Sequence, residues 1–267
     1  MTPVTIIPGT GPVILGQPHS GTWVPDDIFV HLNSLGQELR DTDWHVPQLY
    51  EGLLPGASIV RANFSRYVID ANRDPDGTSL YPGLNVTELV PTSTFDGEPI
   101  WHENPAKSDI TQRIESFHRV YHVALKAEIA RVKAQHGFAV LFDCHSIRSE
   151  IPYLFDNQLP DLNIGDNSGR SCAPAITSAV AAICEQYSAY SHVVNGRFRG
   201  GWTTRHYGRP ESGVHAIQME LAQRCYIESE MPPFSYSASR AAPLRDLLGT
   251  ILKAVEDTAK SNLMTET

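Results

Sequence analysis

Two histidines stand where an apolar run gives way to polar residues. In "FAVLFDCHSI" the run Phe138–Phe142 ends in Asp143, Cys144 and His145, and in "PVILGQPHSG" the run leads into His19. A strand buried on both faces reads as a continuous apolar stretch. In open α/β sheets, ligands bind at the carboxyl ends of strands. Two imidazoles delivered to such ends could share an ion. A divalent site for hydrolysis draws about three ligands from His, Asp and Glu and keeps a position for water. "RDTDWHV" offers Asp41 and Asp43, and one of these acids with His19 and His145 would complete the set. Spacing leaves the choice of acid open, and leaves open a plainer role as a helix cap in "DTDWHVPQLYEGL".

Three further pieces carry chemistry. "IDANRDPDG" sets Asn72 and Arg73 side by side before a Pro/Gly turn. An amide and a planar guanidinium fork suit a carboxylate, and the turn itself is a compatible reading. "HAIQMELAQRC" buries Glu220 in an apolar run. A carboxylate there is rarely without a partner or a purpose. It is either the general base beside a metal-activated water or one half of a salt bridge to Arg224. "VNGRFRGGWTTRHYGRP" holds Arg197, Arg199, Arg205 and Arg209 among glycines. It reads as a solvated basic loop or as a mobile anion-binding one. Among the 11 histidines, His118, His122 and His136 are read as surface or hydrogen-bonded residues of a long helix. His102 stays open.

The elements that must position these groups alternate along the chain. "GPVILG", "ASIVRANF", "FAVLFD", "SHVVNG" and "VHAIQMEL" read as strands. "VYHVALKAEIARVKAQHG", "APAITSAVAAICEQY" and "AAPLRDLLGTILKAVEDTAKS" read as helices, the first closed by Gly137. Helices between buried strands predict a layered α/β domain with a mixed, mostly parallel sheet. Residues 74–105 and 149–171 read as long loops, a length that is usually functional. With no repeat or linker in view, residues 1–267 are read as one domain.

Composition excludes several classes. The 267 residues are 41% hydrophobic and 19% charged, enough for a sizeable core. A net charge of -9 speaks against a nucleic-acid surface, while local arginines could still bind small anions. No apolar run reaches the roughly 20 residues of a membrane span, and the first residues do not read as a signal peptide. The four scattered cysteines fit reduced thiols in a cytoplasmic protein.

Taken in order, "PHSG", "DTDWHV", "SRYVIDANRDP", "FDCHS", "GRFRGGWTTRHYG" and "IQMELAQRCY" resemble the N-formylglutamate deformylase (amidohydrolase) family over nearly the whole chain. The resemblance implies hydrolysis of N-formyl-L-glutamate to formate and L-glutamate in histidine degradation. It also implies a three-layer α/β/α fold like that of zinc-dependent exopeptidases. "IDANR" is similar to the carboxypeptidase D-x-N-R segment, which puts Asn72 and Arg73 on the α-carboxylate. "MEL" gives Glu220 the base role, and "DCHS" gives His145 as the distal ligand. Carboxypeptidases carry H-x-x-E at the first ligand, but here Thr22 follows His19 by three residues. The acid is therefore taken from elsewhere, as Asp43. One divalent ion, zinc first among candidates, is expected on His19, Asp43 and His145. A dicarboxylate substrate needs a second cationic anchor, Arg199 or Arg205. The alternatives are a related metal-dependent enzyme acting on another N-acyl amino acid, or a non-catalytic amino-acid-binding relative. Homo-oligomerisation is left open.

Overall fold

A computed structural model describes residues 1–78, 83 and 85–263. Among these, β1 (Val4–Ile7), β2 (Val13–Gln17), β3 (Ser58–Ala62), β4 (Ala139–Ile147), β5 (Leu162–Gly165), β6 (His192–Val194) and β7 (Val214–Ala222) form one sheet, in the order β1-β3-β2-β4-β7-β5-β6. The pairs β1/β3 and β7/β5 are antiparallel and the other four are parallel. The helices are α1 (Asp26–Phe29), α2 (Ser34–Gln37), α3 (Val46–Tyr50), α4 (Lys107–Arg113), α5 (Arg119–His136), α6 (Pro174–Gln186), α7 (Trp202–Tyr207) and α8 (Ala238–Leu263). The expected mixed, mostly parallel sheet is present.

Strands β2, β4 and β7 are buried throughout, so their alternating side chains feed two cores. Val140, Phe142, Cys144, Ile217, Met219 and Leu221 pack with residues of α3, α6 and α8, such as Leu49, Val180 and Leu248. Ala139, Leu141, Val214 and Ala216 pack on the opposite face with Tyr121, Leu125 and Val132 of α5. Each fully buried aliphatic side chain contributes roughly 1.5–3 kcal/mol. This is why the central strands read as unbroken apolar runs.

The chain departs from the sequence reading in four places. First, β4 does not end at Asp143. It continues to Ile147, because its ladder with β7 runs to Ala222. Second, β1 and β5 carry no clear sequence signal. Each is four residues long and pairs antiparallel. Third, α5 is preceded by α4 and by a π turn at Ile114–His118, a stretch to which the sequence reading assigned no element. Fourth, the glycine- and arginine-rich stretch winds into α7. The four cysteines are free thiols, and among the described residues no helix is long and apolar enough to cross a membrane.

His118 and His122 are the hydrogen-bonded core histidines expected of that helix, and they brace one segment. His118 Nε2 lies 3.0 Å from the Arg73 carbonyl, and His122 Nε2 lies 2.8 Å from the Ala71 carbonyl. Burial, with His118 and His206 nearby, pushes the His122 imidazole down to about 3. The folded state therefore disfavours the charged ring. The stability this neutral ring contributes is whole above the free value of 6.5 and declines as pH falls below it. His122→Gln, which keeps a donor for the Ala71 carbonyl, should lose less stability than wild type between about pH 7 and pH 5. Urea unfolding at the two pH values measures this, and equal losses would contradict it.

Candidate metal centre and active site

The site grows out of the face that ends in polar residues. On β4 the side chains of Ala139 and Leu141 are followed on the same face by Asp143 and His145. On β7, Val214 and Ala216 are followed by Gln218 and Glu220. Register pairs Asp143 with Gln218 and His145 with Glu220. The loop after β2 brings His19, and the turn before α3 brings Asp43, whose backbone N–H donates to the His19 carbonyl at 3.1 Å.

His19, Asp43 and His145 are all buried, with one ligand atom from each lying within 4.8 Å of the others. The imidazole rings sit 4.9 Å apart. Both turn Nδ1 toward Asp43 Oδ2, at 3.7 Å from His19 and 3.1 Å from His145. Both rest Nε2 on a buried carboxylate: Asp70 Oδ1 at 2.6 Å for His19, and Asp143 Oδ1 at 3.1 Å for His145. Imidazoles that ligate metals characteristically give their second nitrogen to a carboxylate in this way. Arg66 Nη2 donates to Asp70 Oδ2 at 2.6 Å, and its Nη1 stands 3.8 Å from Asp43 Oδ1.

This answers the question of which acid joins the histidines. Asp41 is occupied elsewhere: its Oδ2 accepts from the Tyr67 hydroxyl at 2.7 Å and from the Phe95 N–H at 2.9 Å. Asp43 faces both rings and caps no helix; His45, in a left-handed conformation, precedes α3. The expected alternative for Glu220 also falls away. Arg224 pairs with Asp161 at 2.7 Å, while Glu220 Oε2 accepts from Gln218 Nε2 at 3.0 Å.

Charge accounts for the environment. Asp43 and Asp70 lie against the guanidinium groups of Arg66 and Arg73, while Asp143 and Glu220 bring two further buried carboxyl groups beside His145, an acid-rich surrounding that a bound cation would suit. Burial works against the Asp70 carboxylate, but His19, Arg66 and Arg73 together hold it well below the usual range. Burial, helped by Arg66, pushes His19 down, which suits a neutral ligand. Burial also opposes charge on His145, but there Asp143 and Asp43 outweigh it and raise its pKa. Burial raises Glu220, so that carboxyl holds a proton more readily than an ordinary glutamate.

A cavity of about 70 Å³ opens onto this cluster. Its wall includes His19, Arg66, Asn72, Arg73, His145, Arg197, Gln218 and Glu220, with apolar contributions from Phe95, Leu154 and Phe198. Arg199 and Arg205, the expected second anchors, do not line it among the described residues. Arg199 Nε donates to the Gly196 carbonyl at 3.4 Å, and Arg205 Nε to the Gly200 carbonyl at 2.8 Å. Arg197 lies on the wall instead, donating through Nε to the Leu154 carbonyl at 3.1 Å. Arg66 was missed in the sequence, although its i,i+4 spacing to Asp70 is a readable signal. Asn72 touches His145, its Nδ2 being 3.1 Å from Nε2, and its Oδ1 accepts from the Thr203 N–H at 2.8 Å.

Comparison with known proteins places the chain in a family. The family model for N-formylglutamate amidohydrolase matches residues 11–227. The N-formylglutamate deformylase of Pseudomonas putida is 43% identical over 250 residues, covering 92% of this chain and 93% of that protein. Its counterpart from Pseudomonas aeruginosa is 42% identical over the same shares. The crystal structure of N-formylglutamate amidohydrolase from Ralstonia eutropha superposes with a TM-score of 0.81 at 25% identity, covering 98% of this chain and 100% of that one. A gene product of Agrobacterium tumefaciens, 17% identical, shares the fold with a TM-score of 0.73 over 96% of each chain. Fold, cavity and relatives define an enzyme, a hydrolase of linear amides. Within that class, the chain belongs to the N-formylglutamate amidohydrolase family.

Gly201 shows how tightly the wall is built. Its backbone, at φ -76 and ψ -170, suits any residue, but an added Cβ would come within 2.2 Å of Asn72 Nδ2. Gly201→Ala should fold yet displace the Asn72 amide, lowering hydrolytic turnover by about 10- to 100-fold. Thermal unfolding and steady-state kinetics on the same preparation check this, and unchanged kcat and KM would refute it.

Proposed function

We propose that this protein hydrolyses N-formyl-L-glutamate to formate and L-glutamate, with one divalent ion, zinc first among candidates, on His19, Asp43 and His145. The observation that carries the reading is a buried His19–Asp43–His145 cluster whose two histidines line one cavity, with Glu220 opposite His145 in the strand register and arginines on the cavity wall. The relatives, N-formylglutamate deformylases, supply the substrate. A divalent ion bound there would polarise the formyl carbonyl and lower the pKa of water toward roughly 7.

The side chains divide the remaining work. Water adds across the formamide bond, its oxygen going to the formyl carbon and a hydrogen to the leaving nitrogen. Glu220 is the proton carrier: it takes a proton from the attacking water and returns it to that nitrogen. Its raised pKa favours holding the proton between the two steps. Gln218 fixes the carboxylate by Oε2. Asn72 and Arg73 hold the α-carboxylate, as in the D-x-N-R reading. Arg197, in place of Arg199 or Arg205, receives the side-chain carboxylate. We read the chain as one cytoplasmic domain in histidine degradation. The likeness to zinc exopeptidases rests on "IDANR" and Glu220 meeting in one cavity.

Formate release from N-formyl-L-glutamate, assayed with and without a chelator, tests the reading. Activity should vanish with the chelator and return with zinc, whereas chelator-resistant activity would remove the metal from the scheme. Glu220→Gln should retain zinc but lose about 10²- to 10⁴-fold in kcat; near-normal turnover would end its role. Arg197→Ala should raise KM for N-formylglutamate far more than for N-formylmethionine, since only the dicarboxylate meets that guanidinium. Equal effects on both substrates would dismiss it as an anchor.

A further inference from the structure

The first residues of α7 and the residue that precedes it hold three groups of the site at once. The Gly201 N–H donates to Gln218 Oε1 at 2.7 Å, and Gln218 in turn holds Glu220. The Thr203 N–H donates to Asn72 Oδ1 at 2.8 Å. The Thr204 hydroxyl donates to Asp143 Oδ2 at 2.9 Å, and Asp143 faces Nε2 of His145. Asn72 and Gln218 line the cavity themselves. Asp143 does not, and both it and Thr204 are fully buried.

The two carboxylates behind the histidines are held very differently. Asp70 receives Arg66 Nη2 at 2.6 Å and the Asn72 N–H at 2.8 Å, with Arg73 at 3.9 Å. Among the described residues, Asp143 has the Thr204 hydroxyl on Oδ2, and its Oδ1 has no hydrogen-bond donor other than the facing His145 ring. A carboxylate anchored by one hydroxyl orients an imidazole only while that hydroxyl is present. We propose that Thr204 is a positioning residue for the metal centre: by holding Asp143 it fixes the rotation of the His145 ring, and so the aim of Nδ1 at the ion. The inference rests on the metal reading given above and extends it to a residue two contacts behind the ligand His145.

Zinc affinity of the full chain, measured by competition with a chromophoric chelator, is the readout. Thr204→Val removes the hydroxyl at nearly constant shape, Thr204→Ser keeps it, and Thr204→Ala removes it with less steric demand should valine fail to fold. Thr177→Val is the control. It breaks a buried hydroxyl–carboxylate bond of the same 2.9 Å length, to Asp166, in α6 outside the cavity wall. Thr204→Val or Thr204→Ala should weaken zinc binding by about tenfold, the lower end of what a partner orienting a ligand is worth. Thr204→Ser and Thr177→Val should bind zinc as wild type does. Wild-type affinity in both hydroxyl-less variants, or an equal loss in Thr177→Val, overturns the positioning role and leaves the metal reading standing. A wild-type chain that binds no zinc overturns the metal reading, and the Thr204 inference with it.

Discussion

The pairing of β4 with β7 is the constraint on which the site depends. Along nine register pairs, one face of both strands changes from apolar to polar, placing Asp143 beside Gln218 and His145 beside Glu220. A slip of one residue would turn all four into the opposite core, among Ile176, Leu244 and Leu248. Phe142, Cys144, Met219 and Leu221 already fill that core, so hydrophobic packing on one face holds chemistry in register on the other. Glu220 and His145 are thus neighbours by virtue of the sheet.

Gathering acids in a buried place has a cost, and the surrounding groups decide how each acid meets it. Asp70 is surrounded by donors and positive charge, so it remains a carboxylate. Glu220 has one amide donor and deep burial, so its proton is held more tightly. Environments that drive two carboxyl groups apart in this way separate a fixed anion from a proton carrier. Arg66 acts between them: it offsets Asp70 and Asp43 and packs over the Phe95 ring. The oxygen and nitrogen donors gathered there are what suit the cluster to a cation.

What could be read from the sequence follows from how local each signal is. His19, His145 and Glu220 were visible because burial on two faces makes continuous apolar runs, and polar residues that interrupt them stand out. The choice of Asp43 over Asp41 was not visible, because it turns on Tyr67 and Phe95, which are distant in sequence. The acid chosen beside the family resemblance, Asp43, is the one that lies with the two histidines. β1 escaped notice because an edge strand with exposed Ile6 and Ile7 lacks a buried pattern. α7 was hidden because the glycines that flank it and the arginines around them resemble a loop until Gly201 is seen packed against Asn72. The same cause hid which arginine lines the cavity: whether Arg197, Arg199 or Arg205 faces it depends on how the chain turns at Gly200, where φ is 105.

The division of labour between sheet and loops bears on specificity. The ligand set and Glu220 sit on or beside central strands with buried partners on every side, where small displacements meet dense packing. The opposite wall comes from loop residues, among them Asn85, Thr87, Leu154, Arg197 and Phe198. Arg197 ties two of these loops together through the Leu154 and Asn85 carbonyls, at 3.1 and 3.3 Å. Loops tolerate change more readily than strands. A relative with a different acyl amino acid as substrate therefore needs new residues only on that wall, while the chemistry at the strand ends stays as it is. Arg73 stands at the junction, bonded to Thr87 of the wall and 3.9 Å from Asp70 behind His19. The Arg73 guanidinium is thereby fixed relative to both the loop wall and the buried cluster behind His19, so that a change in the wall reaches the cluster through this side chain.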